Sequence, residues 1–370
     1  MRLVSSGVLR VAIFAMVAVL ASLAMVATGA IVAPVGAAQA NCVPSTSQQL
    51  IVYHAGSLSA AFTPVEQAFT CQTGVQVSDV TGGSVDLVRQ VTAGGKSADI
   101  VASADYVDID NFLKPAGAAN YNIIFAKGRM VLAYTASGVA AKNLPPFIDA
   151  NADAFNPPNA IPTVNDNWYQ VLLGQGIVIG GSHPFLDPSG YRSHLMFQLT
   201  QMHYDMPNLY NNLLGHYVAT PATAPANAFA IGKQYDFQFI YEHSAAATAQ
   251  SNPDYRYAYL PDDVDMSNSA KNALYKQAVV TMPGLALGDP PVDVQGSRVA
   301  WGLTIMNSAP NRENAIAFLQ LLLTPGGVGQ STLDKVGPSP VTPAVVSADD
   351  HSNLPAELQP LTTSGDPLSV

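Results

Sequence analysis

Two serines stand where an apolar run gives way to a helical pattern, and each directly follows a glycine. Gly56-Ser57 comes shortly after the apolar run 49–53, and Gly83-Ser84 opens the second helical pattern. A helix start presents unpaired backbone N–H groups and a partial positive charge, and a serine hydroxyl adds one more donor. The two turns together are therefore suited to bind an anion without a lysine. Taken alone, Ser57 is better explained as a helix cap, and the repeat at Ser84 favours the anion site.

The same strand, turn, serine and helix order surrounds the nucleophile of serine hydrolases, so a secreted serine hydrolase is an alternative function. That class has Gly-x-Ser-x-Gly at the nucleophile. Here Ser57 is followed by Leu58 and Ser59, with no glycine two positions on. The histidines also lack metal-ligand spacing beside paired carboxylates or cysteines. The pattern predicts a binding protein and no catalysis.

Two carboxylates stand at other helix starts. Asp187 precedes Pro188, which is typical of a capping residue followed by a proline in the first turn. Glu242 follows the apolar run 237–241, where a predicted strand gives way to a helix. Asp187 alone is explained as a structural cap and Glu242 alone as a surface residue. Both nevertheless stand at junctions where an α/β protein places its ligand crevice.

Near-continuous apolar runs with helical patterns between them predict an α/β fold with buried parallel strands. The strands are expected at 49–53, 99–103, 130–134 and 301–305, and the helices at 57–70, from Ser84 onward, and at 191–204 and 314–323. Pro, Asn and Ala become frequent at 143–163. After the Gly, Pro and Asp-rich segment 284–296, the pattern of an apolar strand followed by a helix with an apolar face returns. We therefore expect a discontinuous lobe I (41–134 and 297–370) and a lobe II (135–296), whose two crossing segments form a hinge. The polar tail after Ser347 is expected to be loosely held.

The first forty residues are predicted to be a signal peptide. Arg2 and Arg10 provide a basic start, residues 11–34 are almost wholly apolar, and cleavage is expected after Ala40. The apolar run is also long enough to stay as a membrane anchor. Either outcome places the protein in the periplasm or on the cell surface.

Cys42 and Cys71 are the two cysteines of the chain. Disulfides persist outside the cytoplasm, and the two residues flank the first predicted strand and helix at the same end of that unit. The pair is either bridged or free, and two thiols are too few for a metal site. The net charge of −10 argues against nucleic-acid binding, and 48% hydrophobic residues indicate an ordered globular protein.

In order along the chain, six strings resemble the tungstate/molybdate-binding proteins of ABC importers, the archaeal-type branch of the periplasmic-binding-protein superfamily. The resemblance runs from about residue 49 to about residue 345 and is weakest between 205 and 289. It implies a type II periplasmic-binding-protein fold, with two α/β lobes joined by two crossing segments and a ligand cleft between them. The strings are HAGSLSAAF (54–62), GGSVDLVRQV (82–91), ADIVASADY (98–106), FAKGRMVLAYT (125–135), NWYQVLL (167–173) and LDPSGYR (186–192).

The resemblance also implies roles for individual residues. Gly56-Ser57 and Gly83-Ser84 would contact the oxyanion, while two carboxylates from the other lobe would reach its metal atom and raise the coordination from four to six oxygens. Asp187 matches the first carboxylate. Glu242 is assigned to the second, although the family places that glutamate three residues before a serine and Glu242 stands two residues before Ser244.

We therefore expect a monomeric solute-binding protein that has no cofactor, binds one tungstate or molybdate, and delivers it to the permease of an ABC importer. The alternative is the same fold binding sulfate, phosphate or another small solute. Carboxylates repel a dianion unless they coordinate its metal centre or are protonated, and sulfur offers no such coordination. Asp187 and Glu242 in the cleft would thus reject sulfate.

Overall fold

A computed structural model describes residues 42–149, 161–221 and 230–370, so the predicted signal peptide (1–40) lies outside the described residues. Within these ranges a seven-stranded sheet has the order β14-β13-β4-β12-β3-β1-β2, and a five-stranded sheet has the order β7-β6-β8-β5-β9. A hairpin, β10-β11, stands apart from both. The strands are β1 (Gln49–Ala55), β2 (Gln76–Gly82), β3 (Ile100–Ser103), β4 (Ile123–Lys127), β5 (Met130–Thr135), β6 (Ile179–Gly181), β7 (Tyr217–Ala219), β8 (Phe237–Tyr241), β9 (Tyr255–Ala258), β10 (Val279–Met282), β11 (Val292–Gln295), β12 (Ala300–Ile305), β13 (Ser339–Val346) and β14 (Thr362–Ser364).

Helices connect the strands and cover the sheets. The described α-helices are α1 (Ser59–Thr73), α2 (Ser84–Val91), α3 (Ala136–Ala141), α4 (Trp168–Leu172), α5 (Pro188–His203), α6 (Leu209–Gly215), α7 (Glu242–Ser251), α8 (Asn272–Tyr275), α9 (Arg312–Leu323), α10 (Val328–Val336) and α11 (Ala348–His351). α1 and α9 pack through Phe62, Phe69 and Phe318, whose ring centroids lie 5.5 to 6.1 Å apart across the two helices. Among the described helices, none has the length and apolar character needed to cross a membrane.

Lobe I is used below for the part of the chain that carries the seven-stranded sheet, and lobe II for the part that carries the five-stranded sheet. β5 pairs with β8 and β9 in the five-stranded sheet, so the chain leaves lobe I just after β4. The crossing segments lie side by side: the N–H of Gly128 donates to the Val299 carbonyl at 3.1 Å, and the N–H of Met130 donates to the Asp265 carbonyl at 3.0 Å. These hydrogen bonds define the place where a hinge motion would concentrate.

The expected parallel pairing holds for only part of lobe I. β1 runs parallel to both β2 and β3, so these strands end at one edge. β12 is antiparallel to β3 and β4, and β5 is antiparallel to β8 and β9. Every residue of β5 and β12 is buried. A strand covered on both faces is apolar throughout whatever its direction, which is why the composition could not reveal the pairing.

The tail after Ser347 is held in place, contrary to the expectation. β14 pairs in parallel with the end of β13, and Leu354 and Leu358 are buried. Lys114 forms an ion pair with Asp350 at 2.7 Å. This strand pairing, the two buried leucines and the ion pair hold the segment in place. They are few and widely spaced, so the polar average composition of the segment did not indicate them.

Cys42 and Cys71 form a disulfide, so the bridged alternative is the one observed. Cys71 lies in the last turns of α1, which ends at Gly74 in the left-handed conformation with φ 72°. The N–H groups of Ser45 and Thr46 both donate to the Gly74 carbonyl, at 2.9 and 3.1 Å. The disulfide and these hydrogen bonds together fasten the segment before β1 to the end of α1.

Reducing this disulfide should lower the free energy of unfolding by about 3 to 4 kcal/mol, because the bond closes a loop with a sequence separation of 29. Urea unfolding with and without dithiothreitol measures the change. The Cys42→Ala/Cys71→Ala double variant is the control and should not respond to the reductant. An unchanged wild-type midpoint after verified reduction would contradict the prediction.

Candidate functional site

The starts of α1 and α2 are neighbours at one edge of the large sheet. Parallel pairing of β1 and β2 places Ala55 beside Gly82, so both following turns leave the sheet together. A Cβ on Gly56 would lie 3.9 Å from the Gly82 carbonyl oxygen, and Ser59 Oγ lies 3.1 Å from Thr81 Oγ1. The predicted juxtaposition of the two helix starts is therefore present in the structure.

Ser57 lies in a 3₁₀ turn, Gly56–Leu58, that precedes α1. Its Oγ accepts a hydrogen bond from the indole Nε1 of Trp301 at 3.1 Å. A hydroxyl has one proton and two lone pairs, so this contact leaves the Ser57 proton available to donate. The Ser57 carbonyl accepts a hydrogen bond from His243 Nε2 at 2.9 Å, a contact that joins lobe I to lobe II. Burial lowers the pKa of His243 to about 4, so the ring is neutral near pH 7.

Ser84 is the first residue of α2 and is buried. Its Oγ accepts a hydrogen bond from the backbone N–H of Ala104 at 3.0 Å. Here too, the accepting role leaves the hydroxyl proton free to donate. Ser57 and Ser84 are thus oriented in the same way, each by a fixed N–H group on a neighbouring segment of lobe I.

Gly83 lies against the loop that precedes α5. A Cβ at this position would lie 2.4 Å from the Leu186 carbonyl oxygen and 3.1 Å from Asp187 Cβ. The N–H of Asp86 donates to the same Leu186 carbonyl at 3.1 Å. The loop before α5 therefore rests directly on the start of α2, and a glycine is required at Gly83 by space, since its φ of −70° suits any residue.

A fully buried arginine of lobe II reaches into lobe I. Arg192, on α5, donates through one terminal nitrogen to the Ala104 carbonyl and to the Tyr241 hydroxyl, both at 2.7 Å. Its other terminal nitrogen lies 2.9 Å from Asp105 Oδ2. Burial and the Asp105 charge raise the pKa of Asp108 to about 8. Burial also raises the pKa of Asp105, and the neighbouring Arg192 acts against that rise.

Tyr241, at the end of β8, supplies a third hydroxyl with the same arrangement. Its oxygen accepts the hydrogen bond from Arg192, so its own proton remains to be donated. Burial raises the pKa of Tyr241 far above its ordinary value, which keeps the phenol protonated. The Tyr241 ring lies 4.9 Å from that of Trp301, the residue that orients Ser57.

The two predicted carboxylates have different surroundings. Asp187 caps α5, and its Oδ1 accepts a hydrogen bond from the N–H of Ser189 at 2.8 Å. Burial raises the pKa of Asp187, although the Ser189 hydrogen bonds and Arg192 act against the rise. Asp187 is also the residue whose Cβ faces Gly83. It therefore lies beside the predicted anion contacts.

The Glu242 side chain contacts two other residues of the chain, Tyr259 and Arg129. One carboxylate oxygen accepts a hydrogen bond from the Tyr259 hydroxyl at 2.5 Å, and the other lies 3.4 Å from Arg129 Nε. Glu242 also lines a cavity of about 220 Å³ together with residues 334–339. The residue three positions before Ser244, where the resemblance places the second acid, is Tyr241.

The structure thus brings Ser57, Ser84, Gly83 and Asp187 to one junction between the lobes. Sequence reasoning did not find the residues that orient them, namely Trp301, Tyr241, His243, Arg192 and Asp105. One signal was available for Tyr241, because the spacing to Ser244 already favoured it over Glu242. Arg192 and Asp105 lie inside two of the matching strings, LDPSGYR and ADIVASADY, which do not reveal what these side chains contact. Trp301 on β12 and His243 on α7 lie outside the six strings.

Two α/β lobes, two crossing segments and polar groups converging where the lobes meet define a two-lobed solute-binding protein. The family model described as "Bacterial extracellular solute-binding protein" matches residues 50–335, and the chain belongs to this family. This is a family of binding proteins, so the expectation of a binding protein and not an enzyme is confirmed. Its extracellular character agrees with an exported protein.

Relatives match over most of the chain. An uncharacterized solute-binding protein of Petrotoga mobilis is 30% identical over 86% of this chain and 91% of its own length. A protein of Pyrococcus abyssi named "Molybdate/tungstate-binding protein WtpA" is 30% identical over 75% of this chain and 81% of its own length.

Solved structures confirm the periplasmic-binding-protein fold. The sulfate-binding protein SubI of Mycobacterium tuberculosis gives a TM-score of 0.53 at 18% identity, over 80% of this chain and 87% of its own. The periplasmic molybdate-binding protein of Azotobacter vinelandii gives 0.51 at 17% identity, over 79% of this chain and 98% of its own.

Proposed function

We propose that the protein, as a monomer, captures tungstate or molybdate outside the cytoplasm and delivers it to the permease of an ABC importer. The observation that carries the proposal is the arrangement of three hydroxyls. Those of Ser57, Ser84 and Tyr241 each accept a hydrogen bond from a fixed N–H group, so each keeps a proton for a ligand. The name of the Pyrococcus abyssi relative supports the choice of ligand.

The proposed site uses dipoles in place of positive side chains. Arg192 is matched by Asp105, which leaves no net positive charge there for a ligand. The starts of α1 and α2 supply backbone N–H groups of Gly56-Ser57 and Gly83-Ser84 and a partial positive charge at each end. Preorganised donors of this kind bind an anion with little cost for reorientation, because Trp301 and Ala104 already fix the serine oxygens.

Asp187 favours a metal oxyanion over sulfate. A carboxylate beside a dianion is repulsive unless it coordinates the central atom or is protonated, and molybdenum and tungsten accept further oxygen ligands. Asp187 therefore selects for tungstate and molybdate within a site that would otherwise suit any tetrahedral dianion.

Isothermal titration with tungstate, molybdate, sulfate and phosphate tests this function. Tungstate and molybdate should bind one per chain and at least about 100-fold more tightly than sulfate, which corresponds to about 2.7 kcal/mol of selectivity. Sulfate or phosphate binding as tightly as molybdate would refute the ligand assignment. Hydrolysis of ester substrates that is lost in Ser57→Ala would instead support the hydrolase alternative.

Ser57→Ala should weaken tungstate binding by about 10- to 100-fold, since a hydrogen bond to a charged group contributes about 1.5 to 3 kcal/mol. Ser59→Ala is a matched control two residues away, because Ser59 bonds only the Thr81 side chain among the described contacts of its hydroxyl. Titration calorimetry of both variants measures the difference. Equal affinities for the two variants would contradict the role of Ser57.

Either Tyr241 or Glu242 could provide the second contact from lobe II to the oxyanion, and substitutions distinguish the two. Glu242 must leave Tyr259 and Arg129 to reach a ligand, whereas the Tyr241 hydroxyl is already oriented by Arg192. We therefore expect Tyr241→Phe to weaken tungstate binding about tenfold, the loss of one hydrogen bond, and Glu242→Gln to leave the affinity unchanged. The reverse result would restore Glu242 as the second acid ligand.

A further inference from the structure

Three side chains of lobe I converge away from the lobe junction. His54 is on β1, Glu66 on α1 and Asp79 on β2, and one ligand atom from each lies within 4.8 Å of the other two. His54 is completely buried, Glu66 is 9% exposed, and the Asp79 side chain is 35% exposed. This cluster takes no part in the anion contacts described above.

The hydrogen bonding of His54 leaves one of its nitrogens without a suitable neighbour. Nδ1 lies 2.8 Å from the Ala55 carbonyl oxygen, which can only accept, so Nδ1 carries a proton. In the neutral ring Nε2 is then a lone pair, and it faces Asp79 Oδ1 at 2.8 Å. Nε2 has no hydrogen bond of good geometry within the part of the chain that the structure describes. Two facing electron pairs at this distance require a positive species between them, either a proton or a metal ion. Burial acts to lower the pKa of His54, but the contacts with Asp79 and the Ala55 carbonyl raise it overall.

Glu66 adds a third electron-rich group. Its Oε1 is buried and has no hydrogen-bond partner among the described residues. A buried carboxylate oxygen without a partner is costly, and buried carboxylates are usually paired or coordinate a metal. Burial, and then the charge of Asp79, raise the pKa of Glu66 to about 7, while His54 acts in the opposite direction.

We propose that His54, Glu66 and Asp79 bind a divalent transition-metal ion such as Zn²⁺. One imidazole with two carboxylates is a donor set that suits zinc and its neighbours in the first transition row, and not Mg²⁺ or Ca²⁺. Ligand atoms about 2.0 to 2.2 Å from an ion lie about 3 to 3.5 Å apart, so small side-chain movements close the present separations. The Ala55 carbonyl orients the ring as outer-shell partners of metal-bound histidines do.

Glu66 lies at the edge of a cavity, and the Asp79 side chain is partly exposed. A cavity of about 240 Å³ opens beside Glu66 and is lined by Cys42 and by Gln76 and Val77 at the start of β2. A bound ion would join α1 to β1 and β2. Its ligand on β1, His54, lies three residues before Ser57. The ion would therefore stabilise the unit that carries the first helix start without contacting the oxyanion.

The test is a titration of purified protein, treated with chelator and free of any histidine tag, with ZnCl₂. We expect one ion per chain and a higher melting temperature with excess Zn²⁺, and neither effect with MgCl₂. Glu66→Gln and Asp79→Asn should each lower the Zn²⁺ affinity at least about tenfold, and the exposed Glu313→Gln control should not. Absence of stoichiometric Zn²⁺ binding, or wild-type affinity in Glu66→Gln, would overturn the proposal.

X-ray absorption at the zinc K edge identifies the ligand atoms of bound zinc in the wild-type protein. It therefore tests the proposal even if a variant fails to fold. The expected spectrum fits one imidazole nitrogen with oxygen ligands. A spectrum with several imidazoles or with sulfur ligands would place the ion elsewhere and overturn the assignment.

Discussion

Replacing Gly83 with valine should weaken tungstate binding by about 5- to 150-fold, because overpacking a close contact costs about 1 to 3 kcal/mol. The added Cβ would lie 2.4 Å from the Leu186 carbonyl oxygen, which is backbone and cannot rotate away. The lobes can relieve this clash by opening, so the melting temperature should fall only slightly. Titration calorimetry gives the affinity, and small-angle X-ray scattering with and without tungstate reports closure.

Gly215→Val is the matched control, since a Cβ at Gly215 meets no atom within 4 Å. It should bind tungstate as the wild type does and become more compact with ligand. A Gly83→Val protein that keeps wild-type affinity would show that the observed approach of Leu186 to α2 is not the ligand-bound arrangement.

Arg192→Met should produce the largest loss of stability, about 3 to 5 kcal/mol in the free energy of unfolding, because it leaves Asp105 buried without its charge partner. It also removes the donors to the Tyr241 hydroxyl and the Ala104 carbonyl, which link Tyr241 to the segment that orients Ser84. Tungstate affinity should fall as well. Urea unfolding measures the first effect and titration calorimetry the second.

A double variant shows whether the stability loss in Arg192→Met comes from the uncompensated Asp105 charge or from lost packing of the Arg192 side chain. Arg192→Met/Asp105→Asn removes both charges and should recover part of the stability lost in Arg192→Met. The exposed Arg256→Met control should change the unfolding free energy by less than about 0.5 kcal/mol. If the double variant loses as much unfolding free energy as Arg192→Met and Asp105→Asn lose in total, the charge pair is not the cause of the instability.

Much of the fold could be predicted from local sequence. The bounds of β8 were predicted correctly, and those of α5 and α9 within a few residues, because each has a strong period or a clear cap such as Asp187 before Pro188. Strand direction and the position of the first crossing could not be predicted. The apolar run of β5 looks the same in either lobe, and only its pairing with β8 and β9 assigns it to lobe II.

The site was predictable where it depends on backbone and not where it depends on distant side chains. Gly56-Ser57 and Gly83-Ser84 occupy turns that any strand-to-helix unit must form, and parallel pairing of β1 with β2 brings them together. Trp301 comes to Ser57 from a position 244 residues later in the sequence, which no spacing reveals. Glu242 shows the limit of a motif: its carboxylate contacts Tyr259 and Arg129, and Tyr241 stands at the position three residues before Ser244.

A crystal structure of the tungstate complex, with tungsten located by its anomalous scattering, would show whether the starts of α1 and α2 bind the oxyanion. We expect oxyanion oxygens about 2.6 to 3.0 Å from Ser57 Oγ and Ser84 Oγ, with no lysine or arginine side chain in direct contact. A tungsten atom bound by a basic side chain, or lying away from the starts of α1 and α2, would contradict it.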